Sequence, residues 1–259
     1  MTPVNYLSGA IDAGGCFSSA WGLVTRRFWM YVGVGLLVVL FISCIPIVNL
    51  FLIGPVLGGF YLLVLRDMRD EPVDFGGMFK GFEKFVPLMV VGLIQSIPGI
   101  IFQILQWTLD IGRILARRNG GPDFYQASGS QFGLAEGMAV IVIIVAIFVL
   151  LFSIVWGITF HFAIPIMAEN DVSIGEAIKL SAQAGWGNIG GLIVLYIFAG
   201  LVGLLGVLAL CVGLFVAFPV VYAAYAFAYR QVFPYFDRSN FNVIPPPPTE
   251  YGGGYGQSY

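Results

Sequence analysis

Charge is what this sequence has least of. It carries 12 Lys and Arg and 14 Asp and Glu, 10% of its 259 residues, against roughly 25% in soluble domains. A chain of this length can bury a large core, but a water-facing surface would still need charge, which argues against a soluble globular protein. The net charge of −2 leaves no basic excess, so no nucleic-acid partner is expected. Histidine occurs once, at His161, and cysteine three times, at Cys16, Cys44 and Cys211. An odd cysteine count, with two of the three in apolar stretches, implies neither a disulfide framework nor a zinc site. Also missing are G-x-S-x-G, H-E-x-x-H, the P-loop and a dinucleotide fingerprint in its strand–turn–helix setting. No catalytic residue, metal ligand or cofactor is therefore assigned, and the chain is read as non-enzymatic.

What it has is apolar length. The sequence is 59% hydrophobic, with a mean hydropathy of +0.91. No Asp, Glu, Lys or Arg interrupts 28–65, 85–109, 137–168 or 180–229. One crossing of a roughly 30 Å hydrocarbon layer takes about 20 apolar residues, so the first and last runs hold two spans each and the middle runs one each. The expectation is an all-α, polytopic six-helix transmembrane bundle. Its spans are placed at Phe28–Ile45, Leu50–Leu65, Val86–Trp107, Met138–Pro165, Ile189–Ala209 and Gly213–Tyr229. Pro46 and Asn49 are read as the first turn, and Leu208–Gly213 as the last. No cleavable signal peptide is read in the first 27 residues. With both termini on one side, nine Lys and Arg face three (Arg113, Arg117, Arg118, in the loop Asp110–Gly137). The positive-inside rule makes the nine-residue side cytoplasmic. The expected location is the inner membrane of a bacterium, with the bilayer itself as the first partner.

A pattern recurs before the odd-numbered spans. Phe17, Ala20 and Trp21 align with Phe75, Met78 and Phe79 and with Ile174, Ala177 and Ile178 at constant offsets, and Phe82 extends the second copy. Asp74 is placed to cap the second copy, and Ser173 with Glu176 forms a capping box for the third. In the even-numbered spans, Pro55, Tyr61 and Arg66 match Pro219, Tyr225 and Arg230. The unit is an amphipathic interfacial helix followed by a transmembrane hairpin, repeated near 12–69, 73–168 and 172–231 within a domain at 1–235. The candidate interfacial face is Phe17, Trp21, Phe75, Phe79, Phe82, Ile174 and Ile178. It either braces the bundle or meets lipid or a partner.

The succession of a proline-and-glycine span, VDFGGMFKGFEKF and AENDVSIGEAIKLS resembles a group of uncharacterised bacterial six-helix membrane proteins. It is also similar to the membrane domain attached to some glycerophosphoryl diester phosphodiesterases. The resemblance covers roughly 15–235 and implies an inner-membrane protein without an assigned activity. Phosphodiesterase chemistry would belong to a separate soluble domain, which is not among these residues.

Glycine is abundant, at 34 residues, and small residues let helices approach in lipid. Gly54 and Gly58, Gly187 and Gly191, and the row Gly200, Gly203 and Gly206 are candidates for packing within the bundle or for a homo- or hetero-oligomer interface. His161, the lone titratable group near neutrality inside a span, either bonds a carbonyl, Thr159 or a tyrosine, or handles a proton or ligand. Asp67, Asp70, Glu71 and Asp74, with Arg66 and Arg69 between them, read as a solvated mixed-charge loop, as do Glu169 and Asp171. The segment 236–259, with Pro245–Pro248 and a Gly/Tyr end, reads as a flexible cytoplasmic tail. The leading functional expectation is a structural, scaffolding or accessory subunit of a membrane complex. The alternative is a transporter or channel for a small or lipidic solute.

Overall fold

A computed structural model describes residues 6–44, 46–118, 132–209 and 213–234. All their regular structure is helical: α1 (Ala13–Arg26), α2 (Phe28–Cys44), α3 (Pro46–Asp67), a 3₁₀ segment (Phe75–Lys84), α4 (Phe85–Arg118), α5 (Phe132–Phe160), α6 (Ala163–Glu169), α7 (Ile174–Gly187), α8 (Ile189–Leu208) and α9 (Leu214–Val232). Among the described residues, four stretches are long and apolar enough to cross a membrane: Leu50–Asp67, Phe75–Thr108, Ile143–Glu169 and Ile189–Leu208. The pair α1 and Phe28–Leu40, bent by 103°, makes a fifth when taken as one span. Ile147, Phe148, Leu201 and Leu205 stand more than half exposed, as residues facing hydrocarbon do. The chain has the build of a multi-pass helical membrane protein.

Several expected boundaries move. Asn49 is helical rather than part of a turn, and α3 begins at Pro46. Proline suits a first helical position because its absent N–H has no partner there anyway. The fourth expected span is two helices, broken at His161–Phe162. α4 runs on to Arg118, beyond the expected end at Trp107. The copy before α4 is a 3₁₀ segment, not an α-helix. Asp74 does cap it, accepting from the Gly77 N–H at 2.9 Å, and its buried members, Met78 and Gly81, follow a period of three rather than 3.6. The tail at 236–259 and most of the expected turn between Leu208 and Gly213 lie outside the described residues.

Glycine sets how closely the inner helices approach. A Cβ at Gly54 would fall on the Leu88 carbonyl, one at Gly58 on the Leu88 side chain, and one at Gly59 on the Met78 carbonyl. Gly81 meets the Pro55 carbonyl and Gly59, and Gly92 meets Gly54. Backbone thus touches backbone along α3, which is 67% buried over its apolar window, against 11% for Ile143–Glu169. α9 falls outside the four apolar stretches because its tyrosines, Pro219, Arg230 and Gln231 lower its apolarity. Its buried side is small, with Ala217, Ala223, Ala224, Ala226 and Ala228.

The N-terminal segment closes the bundle. The Leu7 N–H donates to the Val232 carbonyl at 2.9 Å, and Asn188 accepts from the Ala10 N–H and donates to the Leu7 carbonyl. The Gln231 amide oxygen accepts from the Asp12 N–H at 2.8 Å and from the Cys16 thiol at 3.4 Å. Burial, with the charge of Asp12 adding, pushes the Cys16 thiol up to about 12.

Two outcomes are expected. Gly59→Ala lowers stability by about 1–3 kcal/mol or more through overpacking, whereas Gly200→Ala, with nothing within 4 Å of its Cβ, leaves it level or raised by roughly 0.5–1 kcal/mol; thermal unfolding of the detergent-purified protein reads both. Thiolate is the reactive form, so raising the pH toward 12 is what ionises Cys16. In a Cys44→Ser/Cys211→Ser chain, maleimide at pH 8 then labels Cys16 only after unfolding, and rapid labelling of the native chain contradicts this.

Candidate functional site

Pro165 generates the central feature. A proline ring clashes with the carbonyl four residues earlier and offers no N–H; here that carbonyl belongs to His161, where α5 gives way to α6. Backbone groups left open at the break between α5 and α6 cannot turn to water in an apolar setting, and Ser181 of α7 satisfies two of them, on either side of His161. Its hydroxyl accepts from the Phe162 N–H at 3.1 Å and donates to the Thr159 carbonyl at 2.9 Å. His161 sits in the break, 6% exposed, with Nδ1 3.0 Å from the Tyr196 hydroxyl. The ring lies edge-on to Phe162 and Tyr225, each 4.8 Å away between centroids. Its Nε2 is buried with no hydrogen-bond partner among the described residues.

A second proline shapes the opposite wall. Pro98 frees the carbonyl of Ile94, which accepts the Trp156 indole N–H at 2.9 Å and ties α4 to α5. The next residue, Gln95, places Oε1 in the interior, where it too has no partner among the described residues. The Gly54–Gly92 contact draws this wall against α3, which carries Tyr61. Together these elements surround a cavity of about 240 Å³ lined by Gln95, Ser96 and His161, by Tyr61, Tyr196, Tyr222 and Tyr225, and by apolar residues of α3 and α6. Among the described residues, no Asp, Glu, Lys or Arg lines it. Such a site can exchange hydrogen bonds with an uncharged polar group, whereas a charged one would find nothing to compensate its desolvation.

An ionic layer lies above the cavity. Asp67 is fully buried, contrary to the reading of a solvated loop. It accepts from the Tyr31 hydroxyl at 2.7 Å and pairs with Arg26 at 3.3 Å and Arg27 at 3.4 Å. Those arginines stand at the α1–α2 elbow, so the carboxylate fixes the elbow to the end of α3. Glu169 is held by Arg230 and by the Tyr229 hydroxyl. Asp171 remains exposed, and the hydrogen bond and charge of Lys84 at 2.7 Å hold its carboxyl below the usual range. Tyr225 precedes Arg230 by five residues of α9 and Tyr61 precedes Asp67 by six of α3, which sets the cavity roughly 7–9 Å along these helices from the ionic layer.

The other candidate residues are dispersed. Phe17 packs edge-on against Phe198, and Phe82 lies between Phe79 and Phe85. Ile174 and Ile178 are half-buried against the core. Trp21, Phe75 and Phe79 are exposed. Gly54 and Gly58 pack inside the bundle, Gly187 and Gly191 beneath Ser8 and Ile11, and Gly206 against Ala217 and Gly213. Gly200 and Gly203 face open space. Of the candidates, only His161 reaches the cavity. The sequence reading missed Gln95, Tyr196 and Tyr222 as site residues, and it noted Tyr61 and Tyr225 only as a repeat match. That match was the available signal, since both tyrosines line the cavity. Among the described residues, no three of His, Cys, Asp and Glu gather as a metal site would require.

Fold and cavity together define a helical multi-pass membrane protein with an uncharged polar site inside its bundle. Comparison with protein-family models, curated proteins and solved structures finds no match to this chain.

Gln95 tests what the cavity is for. An unpartnered buried acceptor costs stability, so Gln95→Leu is expected to hold or raise the unfolding temperature. A fall corresponding to 1 kcal/mol or more would mean that the amide serves the fold.

Proposed function

We propose that this chain is a six-span integral membrane protein whose interior cavity binds a small uncharged polar group, as a carrier or receptor of such a solute rather than as an enzyme. Gln95 and His161 line one cavity, and the Oε1 of the first and Nε2 of the second are buried there without hydrogen-bond partners among the described residues; that pairing carries the reading. Buried polar atoms are normally satisfied, and a fold that leaves two of them at one cavity has a use for them. This gives the solute-handling alternative more support than the accessory-subunit expectation, which rests on the scarcity of charge, the abundance of glycine and the interfacial helices, with the open faces of Gly200 and Gly203 in its favour.

The architecture proposed with it is three repeats, each a short helix and two spans. Its supports are the element order and the 103° elbow between α1 and α2, the near-perpendicular turn from an interfacial helix into a span. α9 is the sixth span, with apolarity lowered by its three tyrosines, Pro219, Arg230 and Gln231. Exposed Trp21, Trp29 and Trp186 suit the headgroup region. On the lysine and arginine count, both termini are cytoplasmic in a bacterial inner membrane. The likeness to the phosphodiesterase-linked membrane domain is proposed as a kinship of architecture alone.

The test is a thermal-shift series on the full chain in phosphatidylcholine nanodiscs with glycerol, other neutral polyols, choline and acetate. Neutral hydroxylated solutes are expected to raise the unfolding temperature of the wild type and not that of a Gln95→Leu/His161→Phe chain. Equal shifts in both chains, or shifts with charged solutes alone, would count against the reading.

A further inference from the structure

The cavity has a neighbour. A groove of about 690 Å³ runs between α2, α8 and α9, past Val39, Gly200, Gly203 and Phe218, and it shares Tyr196, Tyr222 and Tyr225 with the cavity. One side of these three tyrosines faces the polar chamber and the other an apolar channel. The groove exists because Gly200 and Gly203 add no side chain; a Cβ at either would meet nothing within 4 Å. It borders α8, only 17% of whose apolar window is buried, so it opens onto the same surroundings as Leu201 and Leu204.

Resting on the solute-binding reading above, we propose that the ligand is an uncharged, hydroxyl-bearing amphiphile with its polar end in the cavity and its hydrocarbon chain in the groove. Size is the first argument. The cavity alone lies below the roughly 300–1,000 Å³ of ordinary ligand sites, and cavity with groove lies within that range. Chemistry is the second. A hydroxyl both donates and accepts: one hydroxyl can donate to Gln95 Oε1 while accepting from a His161 Nε2–H, and a pair of neighbouring hydroxyls can donate one hydrogen each to Oε1 and to a bare Nε2. Among the described residues no Asp, Glu, Lys or Arg lines the cavity, so a phosphate or ammonium headgroup would enter without a counter-charge from them. Orientation is the third. Tyr196 lies near the start of α8, at the end where Asn188 and Arg230 sit, and Gly203 is seven residues further on, about 10 Å deeper. A ligand placed this way points its head toward the ionic layer and its tail toward the membrane interior, as a lipid of that leaflet does.

The test uses the full chain in phosphatidylcholine nanodiscs, with 1-monooleoylglycerol, glycerol, methyl oleate and oleoyl phosphate as probes and bound ligand measured by mass spectrometry. Wild type is expected to retain monooleoylglycerol over the other three. Gln95→Leu/His161→Phe is expected to weaken it about tenfold, through the loss of two hydrogen bonds. Gly203→Leu, which fills the groove without meeting backbone, is expected to weaken it similarly while leaving any glycerol-induced thermal shift unchanged; Gly200→Leu serves as a second filling variant if the first elutes as aggregate. If glycerol binds as well as monooleoylglycerol and both leucine variants bind normally, the cavity reading stands and the amphiphile proposal falls. If no neutral probe binds, both fall. Equal retention of oleoyl phosphate overturns the uncharged head. A leucine variant that changes only the oligomeric state makes the groove a contact between copies and overturns the proposal.

Discussion

Backbone contact through glycine is the constraint on which the rest of the bundle depends. Lipid offers helices no hydrophobic reason to associate, so close packing and hydrogen bonding must hold them together. At Gly54, Gly59, Gly81 and Gly92 backbone meets backbone between α3, the 3₁₀ segment and α4. That approach fixes the distance between the wall bearing Tyr61 and the wall bearing Gln95. A methyl group at this seam would displace one wall from the other, and the cavity's size would change with it. The site is therefore a product of packing some distance from its polar atoms.

The prolines supply the second half of the design. Each removes a backbone hydrogen bond, and two of the resulting gaps are answered by a specific side chain: Ser181 bridges the break before Pro165, and Trp156 takes the carbonyl freed by Pro98. The first break puts His161 into the interior, and the second clamps α5 beside Gln95. Polar chemistry has entered an apolar bundle through backbone irregularities, which is where membrane proteins can tolerate it.

Much of the coarse fold was legible because charge-free runs and helix length answer to the same physics. The helical class, the apolar stretches and the caps at Asp74 and Ser173 all follow from local sequence. The site was not legible. Gln95 is an ordinary glutamine in an apolar run, and nothing near it in sequence announces His161. The two meet only because Gly54 and Gly92 let α4 close on α3. The Asp67 loop misled for a similar reason: a run of mixed charge looks solvated until Arg26 and Arg27, some 40 residues earlier, are folded over it. Likewise the 3₁₀ geometry of Phe75–Lys84 follows from Gly81 being pressed onto Pro55 and Gly59, a tertiary demand that an i, i+3, i+4 pattern does not contain.

The closure of the N-terminal segment also has a consequence in time. Asp12 binds Gln231 across 219 residues of chain and Ala10 binds Asn188 across 178. At roughly 5–20 residues per second, a ribosome needs on the order of 10–40 s between making the first partner and the last. Throughout that interval the groups at the start of α1 lack their final acceptors, and the surface that will meet α9 has nothing to meet. A segment synthesised ahead of the helices it joins is thus among the last parts of the bundle to be finished.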